Sequence, residues 1–228
     1  MSIKLGTNDI SQVSPGSIRL GASSLDRVYN GTKLVWERGT QTIDTLDSLG
    51  SFTQTSTGSG IGASGGEALW NGTTDGTATA LYNTSALTNN QYVAGIAGSY
   101  MNASRASGLI FHCDASLTSW YGVLFESDRI ALVSNTGRWL QNIGGSQDVS
   151  YAEWSGTVSS GDTLSAWNIG ENFYVAQNGT IRISTTISGA NIGATKRRQG
   201  IGLYRTSFAS SCRISQWWGG DAGAWGKI

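Results

Sequence analysis

The stretch FYVAQNGTIRISTTI, residues 173–187, decides the fold. Asn178-Gly179 sits between two runs of strand-forming residues, and Asn-Gly is the strongest short hairpin signal because a two-residue turn needs positive φ at both positions. Phe173–Gln177 supplies the first strand. In the second, Ile181, Ile183, Thr185 and Ile187 alternate with Thr180, Arg182, Ser184 and Thr186. A period of two with apolar residues on one side predicts an antiparallel strand buried on one face.

Working outward, the same rhythm continues. Trp120–Phe125 and Arg129–Val133 flank Glu126-Ser127-Asp128, a second predicted hairpin. Further strands are expected at Ala68–Trp70, Thr77–Tyr82, Tyr92–Ala97, Leu109–Cys113, Trp139–Ile143, Val149–Trp154, Thr163–Trp167, Ile201–Tyr204 and Cys212–Trp218. No segment sustains a 3.6-residue period. So many short strands predict an all-β domain over residues 45–219, built from two apposed antiparallel sheets. Residues 220–228 read as a C-terminal tail in which Trp225 packs against a neighbour or frays.

Composition narrows the function. The 228 residues include 32 Gly and one Pro, fitting many strands joined by tight turns. Lys plus Arg and Asp plus Glu balance at 15 each, which argues against nucleic-acid binding and offers no basic patch for a membrane surface. No run of 18 apolar residues exists to span a bilayer. MSIKLGTNDI lacks the basic-then-apolar form of a signal peptide, although the Thr/Ser/Asn-rich, Trp-rich composition resembles that of an extracellular protein. Release by cell lysis, as part of a particle made in a host cytoplasm, would reconcile the two.

The N-terminus repeats itself. Ile3-Lys4-Leu5-Gly6 returns as Ile18-Arg19-Leu20-Gly21, and Lys33-Leu34-Val35-Trp36 follows at the same spacing. Residues 1–39 therefore form a small β-repeat module, and 37–45 read as a linker. A unit this small buries too little apolar area to stand alone. Leu5, Ile10, Val13, Leu20, Val28, Tyr29, Val35 and Trp36 are expected to be covered by another chain or by the second domain.

Catalytic and metal chemistry find little support. Glu126 and Asp128 form part of a carboxylate pattern used by glycosidases, but the third acid is missing and the pair falls at an expected solvated turn. His112, the sole histidine, reads as a packed strand residue, with no triad or zinc spacing around it. Asp114 beside it could join a calcium site, but no dense acidic loop supplies the other oxygens. Cys113 and Cys212 are two buried thiols or a bridge between neighbouring strands. Lys196-Arg197-Arg198, the only basic cluster, is a solvated loop or a site for an acidic neighbour. No catalytic residue, metal or cofactor is assigned.

Nine Trp and eight Tyr remain. Exposed aromatic faces stack on sugar rings. Trp120, Tyr121, Trp139, Trp154 and Trp217 are the candidate glycan contacts. In Trp120-Tyr121 and Trp217-Trp218 the neighbours face opposite sides of a sheet, so one of each pair is expected in the core.

Two resemblances add to this reading. Gly161-Asp162-Thr163-Leu164 followed by Tyr174-Val175-Ala176-Gln177-Asn178-Gly179 resembles a pattern of concanavalin-like and laminin-G-like jelly rolls. That implies a jelly-roll β-sandwich and a lectin-like domain. Ile3, Leu5, Gly6, Ile10, Val13, Gly16, Ser17 and their echoes through Leu34-Val35-Trp36 resemble short N-terminal modules of tailed-bacteriophage virion proteins. This implies a non-enzymatic structural protein of a tail, fibre or capsid decoration. Its module would dock to other virion proteins and its jelly roll would be displayed outward, with possible binding of host surface glycans. A homotrimer is expected from the symmetry of such appendages. The alternative is a lectin-like surface protein whose main task is carbohydrate binding.

Overall fold

A computed structural model describes the backbone of residues 3–5, 8–14, 17–20, 23–25, 27–30, 32–137, 143 and 149–227, and the side chains of 25, 27–29, 32, 37–137, 143 and 149–227. The described residues are strands, turns and loops. The N-terminal strands are β1 (Ile3–Leu5), β2 (Asn8–Ser14), β3 (Ser17–Leu20), β4 (Ser23–Leu25), β5 (Arg27–Asn30) and β6 (Lys33–Glu37). β1–β4 pair in sequence order as one sheet, and β5 with β6 as a separate hairpin. The repeat is thus a run of short antiparallel hairpins outside the main sheets.

The sandwich follows. Its first half contains β7 (Gln41–Asp44), β8 (Phe52–Ser56), β9 (Ile61–Ser64), β10 (Glu67–Trp70), β11 (Gly76–Tyr82), β12 (Gln91–Ala97), β13 (Ser107–Cys113) and β14 (Trp120–Phe125). The second contains β15 (Arg129–Asn135), β16 (Val149–Ser155), β17 (Thr163–Ile169), β18 (Asn172–Gln177), β19 (Thr180–Thr186), β20 (Arg198–Thr206), β21 (Ala209–Ser210) and β22 (Ile214–Asp221). One sheet runs β19-β18-β17-β12-β22-β10-β9, with β7 also on β22; the other runs β16-β15-β14-β13-β20-β11-β8, with β21 on β20. All pairs are antiparallel, and the result is a jelly-roll sandwich, as the strand rhythm predicts.

The central strands are apolar on both faces because both faces are covered. Leu109, Phe111, Val123, Leu132, Phe173, Val175, Ile201 and Trp217 fill the space between the sheets. Ile110, Leu124, Val133 and Tyr204 point the other way, into a second cluster closed by Ile143. On the outer face of the first sheet Tyr92, Ala94, Trp167 and Ala176 lie beneath Ala222 and Trp225. The C-terminal tail therefore packs on its own sheet. Trp225 stacks on Tyr92 with ring centroids 5.1 Å apart.

The hairpin at Asn178-Gly179 forms as expected, with φ of 50° and 77°. Asn178 Oδ1 accepts the Thr163 amide at 2.9 Å, and its amide group donates to Asp162 at 2.7 Å. The Gly-Asp preceding β17 thus ties the turn to its neighbour. One detail differs from the simple alternation. A register shift between Val175 and Ala176 pairs them with Ile183 and Ile181, leaving Arg182 as an extra residue. This bulge turns Ile181 to solvent, 51% exposed, while Ile183 and Ile187 stay buried.

Two other expectations need correction. Part of the supposed linker, Gln41–Asp44, is β7, paired with Trp217–Gly220. Its short polar sequence hides it, because its order comes from the ladder of β22 rather than from burial. Glu126 is wholly buried rather than solvated, bonded to Arg129 at 2.7 Å and to the Ile143 amide at 3.1 Å. Of the two readings of the cysteines the first holds: Cys113 and Cys212 are buried free thiols in different clusters. The expected strand at Trp139–Ile143 lies outside the described residues except for Ile143, which is in a turn.

Candidate functional site

The registers give the sandwich two distinct ends. Gln91, Asn168, Asp221, Cys113 and Arg198 share one end; Ala97, Ile214, Gly76, Phe125 and Arg205 share the other. Between them β20 runs for 9 residues, roughly 30 Å of strand.

The N-terminal module joins at the first end. Glu37, buried, accepts from Asn90 at 2.8 Å and from Arg27 at 2.7 Å. Asp221 accepts from the amide of Thr40 at 2.7 Å, its hydroxyl at 2.9 Å, and the amides of Leu87 at 3.1 Å and Thr88 at 2.6 Å. Next to it lies a closed polar network. Gln91 donates to His112 Nδ1 at 2.9 Å and to the Lys196 carbonyl at 2.7 Å. His112 Nε2 meets Asn168 Oδ1 at 2.8 Å, while the Asn168 amide group donates to the Asn89 and Gly170 carbonyls. Only the neutral tautomer carrying its proton on Nε2 satisfies both ring contacts. Burial lowers the His112 pKa to about 4. His112 is therefore a packed strand residue, as expected, serving an internal network.

The opposite end carries a groove of about 440 Å³. Trp70 lies in its floor, with its indole N–H donated to the Thr74 carbonyl at 3.1 Å. Two aromatic residues flank it in full view of solvent, Tyr100 at 70% and Phe208 at 93% exposed. Both have left-handed backbones, with φ of 65° and 68°. A bulky residue in that region costs about 1–3 kcal/mol and persists only where its surroundings enforce it.

The surroundings here do so. Ser207-Phe208 is the two-residue turn between β20 and β21, with Thr206 facing Ala209. Asp75 accepts the Ser207 amide at 2.9 Å and pairs with Arg205 at 3.3 Å, and Arg105 donates to the Thr206 carbonyl at 3.1 Å. On the other wall Arg213 lies 4.7 Å from the Tyr100 ring centre and bonds Glu67 at 3.0 Å. Glu67 also accepts the Ser99 amide at 3.1 Å. Partial burial pushes the Glu67 carboxyl up, but the Ser99 amide and Arg213 outweigh it and hold it below its ordinary value. Asn102 Oδ1 is taken by Ser104, so its NH₂ is the group it can offer a ligand. The groove thus combines two exposed aromatic rings with amide, hydroxyl and guanidinium donors and no net charge among its closest ion pairs.

The glycan contacts chosen from sequence fall elsewhere. Trp120 is buried on the outer face of the second sheet, its indole N–H on the Gly137 carbonyl at 2.7 Å. Tyr121 is buried between the sheets, its hydroxyl accepting the Asn191 amide at 3.0 Å. Trp217 is buried against Tyr82 and Phe52. These three show no open ring face, because both faces of each sheet are covered and the large rings fill those layers. Trp154 is half-buried, with the Arg182 guanidinium 4.6 Å over its ring. Trp139 lies outside the described residues. Of the proposed interface residues, Tyr29 is exposed and Val28 half-buried; the side chains of Leu5, Ile10, Val13, Leu20, Val35 and Trp36 lie outside the described set.

Acid and metal chemistry gain nothing from the geometry. Asp114 is engaged by Lys196 and by the Thr118 amide and hydroxyl, which hold its carboxyl below the ordinary range despite partial burial. It has no spare oxygens for a hard cation, and among the described residues no three His, Cys, Asp or Glu side chains converge. Burial pushes the Glu126 carboxyl up, and Arg129 occupies it.

No protein-family model matches the chain, and no curated protein matches its sequence. Solved structures do match its fold. The carbohydrate recognition domain of Emp46p in its potassium-bound form superposes with a TM-score of 0.53 at 8% identity, over 79% of this chain and 92% of that one. The exoplasmic/lumenal domain of VIP36 in its metal-free form gives 0.52 at 9% identity, over 79% and 91%. Its Ca2+/Man2-bound form gives 0.52 at 9%, over 78% and 86%. The likeness shows that the fold is a jelly-roll sandwich.

Proposed function

We propose that the sandwich is a non-enzymatic carbohydrate-binding domain and that the groove between Tyr100 and Phe208 holds the sugar. The observation that carries this is the pair of exposed aromatic residues, both with positive backbone φ, that line one groove together with Asn102, Arg205 and Arg213. Sugar rings present C–H faces that stack on aromatic rings and hydroxyls that need donors and acceptors at the rim. The structures that share the fold include a carbohydrate recognition domain and a Man2-bound form, which supports the same reading. A glycan array probed with the full chain tests it. Wild type is expected to retain a defined set of neutral glycans, and Phe208→Ala and Tyr100→Ala to lose them while melting normally. An array with no hits, or hits that survive both substitutions, would refute it.

A second reading concerns the N-terminal module. Its strands pair only among themselves, and it joins the sandwich at the end away from the groove. That arrangement suits a chain attached at one end and binding at the other. With the resemblance of the repeat to tailed-phage modules, it favours a virion protein docked through residues 1–39; the symmetry of such appendages is the ground for expecting a trimer. Light scattering on the full chain is expected to give the trimer mass; a monomer at all concentrations would count against the oligomer.

A further inference from the structure

On the outer face of the first sheet, neighbouring strands present aromatic rings in register. Trp167 on β17 pairs with Tyr92 on β12 and with Tyr174 on β18. The Trp167 and Tyr174 rings stack with centroids 5.3 Å apart, 17° from parallel. Tyr92 carries Trp225 of the C-terminal tail in the same way, at 5.1 Å. Trp167 and Tyr92, each backed by a second ring, face one ammonium group. Lys227 Nζ lies 4.7 Å from the Trp167 ring centre and 5.6 Å from that of Tyr92. Both distances are within the range over which a ring face attracts a cation.

The tail is folded so as to place that ammonium. The Lys227 amide donates to the Ala222 carbonyl at 3.0 Å and the Gly226 amide to the Gly223 carbonyl at 3.1 Å, with Gly226 left-handed at φ 66°. This pair of bonds is the one that closes a helix C-terminus and bends the chain back. Trp225 anchors the turn by donating its indole N–H to the Gly219 carbonyl at 3.0 Å, and Ala222 is wholly buried. The backbone and Trp225 are thus held by contacts in which the Lys227 side chain takes no part. That side chain is half-buried, and its rotation is enough to uncover the Trp167 and Tyr92 rings.

Ring faces suit a primary ammonium poorly. Its N–H groups are strong donors, and an aromatic surface satisfies them less well than an oxygen does. A quaternary ammonium has no donor to satisfy and packs its methyl groups directly on the rings. We propose that Trp167 and Tyr92 form a binding site for a trimethylammonium group, and that Lys227 is its built-in competitor. The site lies toward the Gln91 and Asn168 end of the strands, away from the groove, and does not rest on the sugar reading.

Titration of the full chain with choline chloride tests this, at ionic strength held constant with NaCl and followed by the chemical shifts of the Trp167 and Trp225 indole N–H groups. Wild type is expected to saturate in the millimolar range. Lys227→Gln removes the competing charge and is expected to bind about fivefold tighter or more, whereas Lys227→Arg keeps a cation there and should bind no tighter than wild type. Neohexyl alcohol, the uncharged carbon isostere of choline, should bind Lys227→Gln at least about fivefold more weakly than choline does. Glycerophosphocholine in parallel identifies the source. Binding equal to or tighter than choline assigns the site to a phosphate-linked headgroup, and weaker binding assigns it to the free cation; either supports the proposal. No saturation in Lys227→Gln, binding in it no tighter than in wild type, or the alcohol binding as well as choline would overturn the proposal and leave the groove reading untouched.

Discussion

Asp221 and Thr40 stand 181 positions apart, yet the buried Asp221 carboxylate accepts both the amide and the hydroxyl of Thr40. The same carboxylate takes the amides of Leu87 and Thr88. One side chain therefore ties the entry of the chain into the sandwich to its last strand. Asp221→Asn turns a donor toward at least one of these N–H groups. A loss of about 2–4 kcal/mol is expected, read by urea unfolding. The amides of Thr40, Leu87 and Thr88 should lose exchange protection first.

Phe208 is a conformational cost maintained at a surface. Phe208→Gly relieves the left-handed backbone, so stability is expected to rise or stay level, within about 1 kcal/mol. Sugar binding should fall at least tenfold. Thermal melting together with calorimetry on an array-selected glycan checks both halves. A stable variant that binds normally would remove Phe208 from the site.

His112 gives a pH signature. Its folded pKa of about 4 lies below the ordinary 6.5, so the unfolded chain binds the extra proton first. Stability is complete above about pH 6.5 and declines as pH falls toward 4, by about 3 kcal/mol. No charged side chain bonds to the ring, so the slope belongs to burial. Asn tolerates the φ of 50° at this position. His112→Asn should be less stable at neutral pH and lack that slope between pH 4 and 6.5, measured by urea unfolding at stepped pH. The difference between the two proteins cancels the contribution of carboxylates common to both.

Burial pushes both thiols, Cys113 and Cys212, up to about 12. Neither should react with a thiol reagent at pH 8 in the native state, and both should react after denaturation, without reductant. A thiol count below two in denaturant would indicate oxidation that the separate clusters do not allow.

The sandwich was legible where local chemistry dictates it. Asn178-Gly179 forces a hairpin, and apolar runs such as Leu109–Cys113 mark strands covered on both faces. β7, β8 and β9 were not legible. Phe52–Ser56 shows one buried residue followed by four exposed ones, so its strand state comes from pairing with β11 rather than from any periodicity. The bulge at Arg182 was equally hidden, because an alternating sequence cannot announce where its register slips.

The groove escaped for a different reason. Residue type favoured tryptophan, but in a two-sheet core tryptophan is filling, and Trp120 and Trp217 went inside. The usable signal was context. Tyr100 and Phe208 are single large rings in Gly98-Ser99-Tyr100-Met101-Asn102 and Thr206-Ser207-Phe208-Ala209-Ser210, loops otherwise rich in small or polar residues. A bulky ring there has no core to enter. Its left-handed backbone could not be foreseen, since Ser-Phe lacks the Asn-Gly chemistry that normally makes such a turn.

The central claim is that the groove between Tyr100 and Phe208 holds a sugar. Amide chemical-shift mapping of the full chain titrated with an oligosaccharide from the array tests it most directly. Saturable shifts are predicted at Ser99–Asn102 and Thr206–Ser211, with little change at the His112 end. Shifts confined to any other surface, or none at saturating sugar, would contradict it.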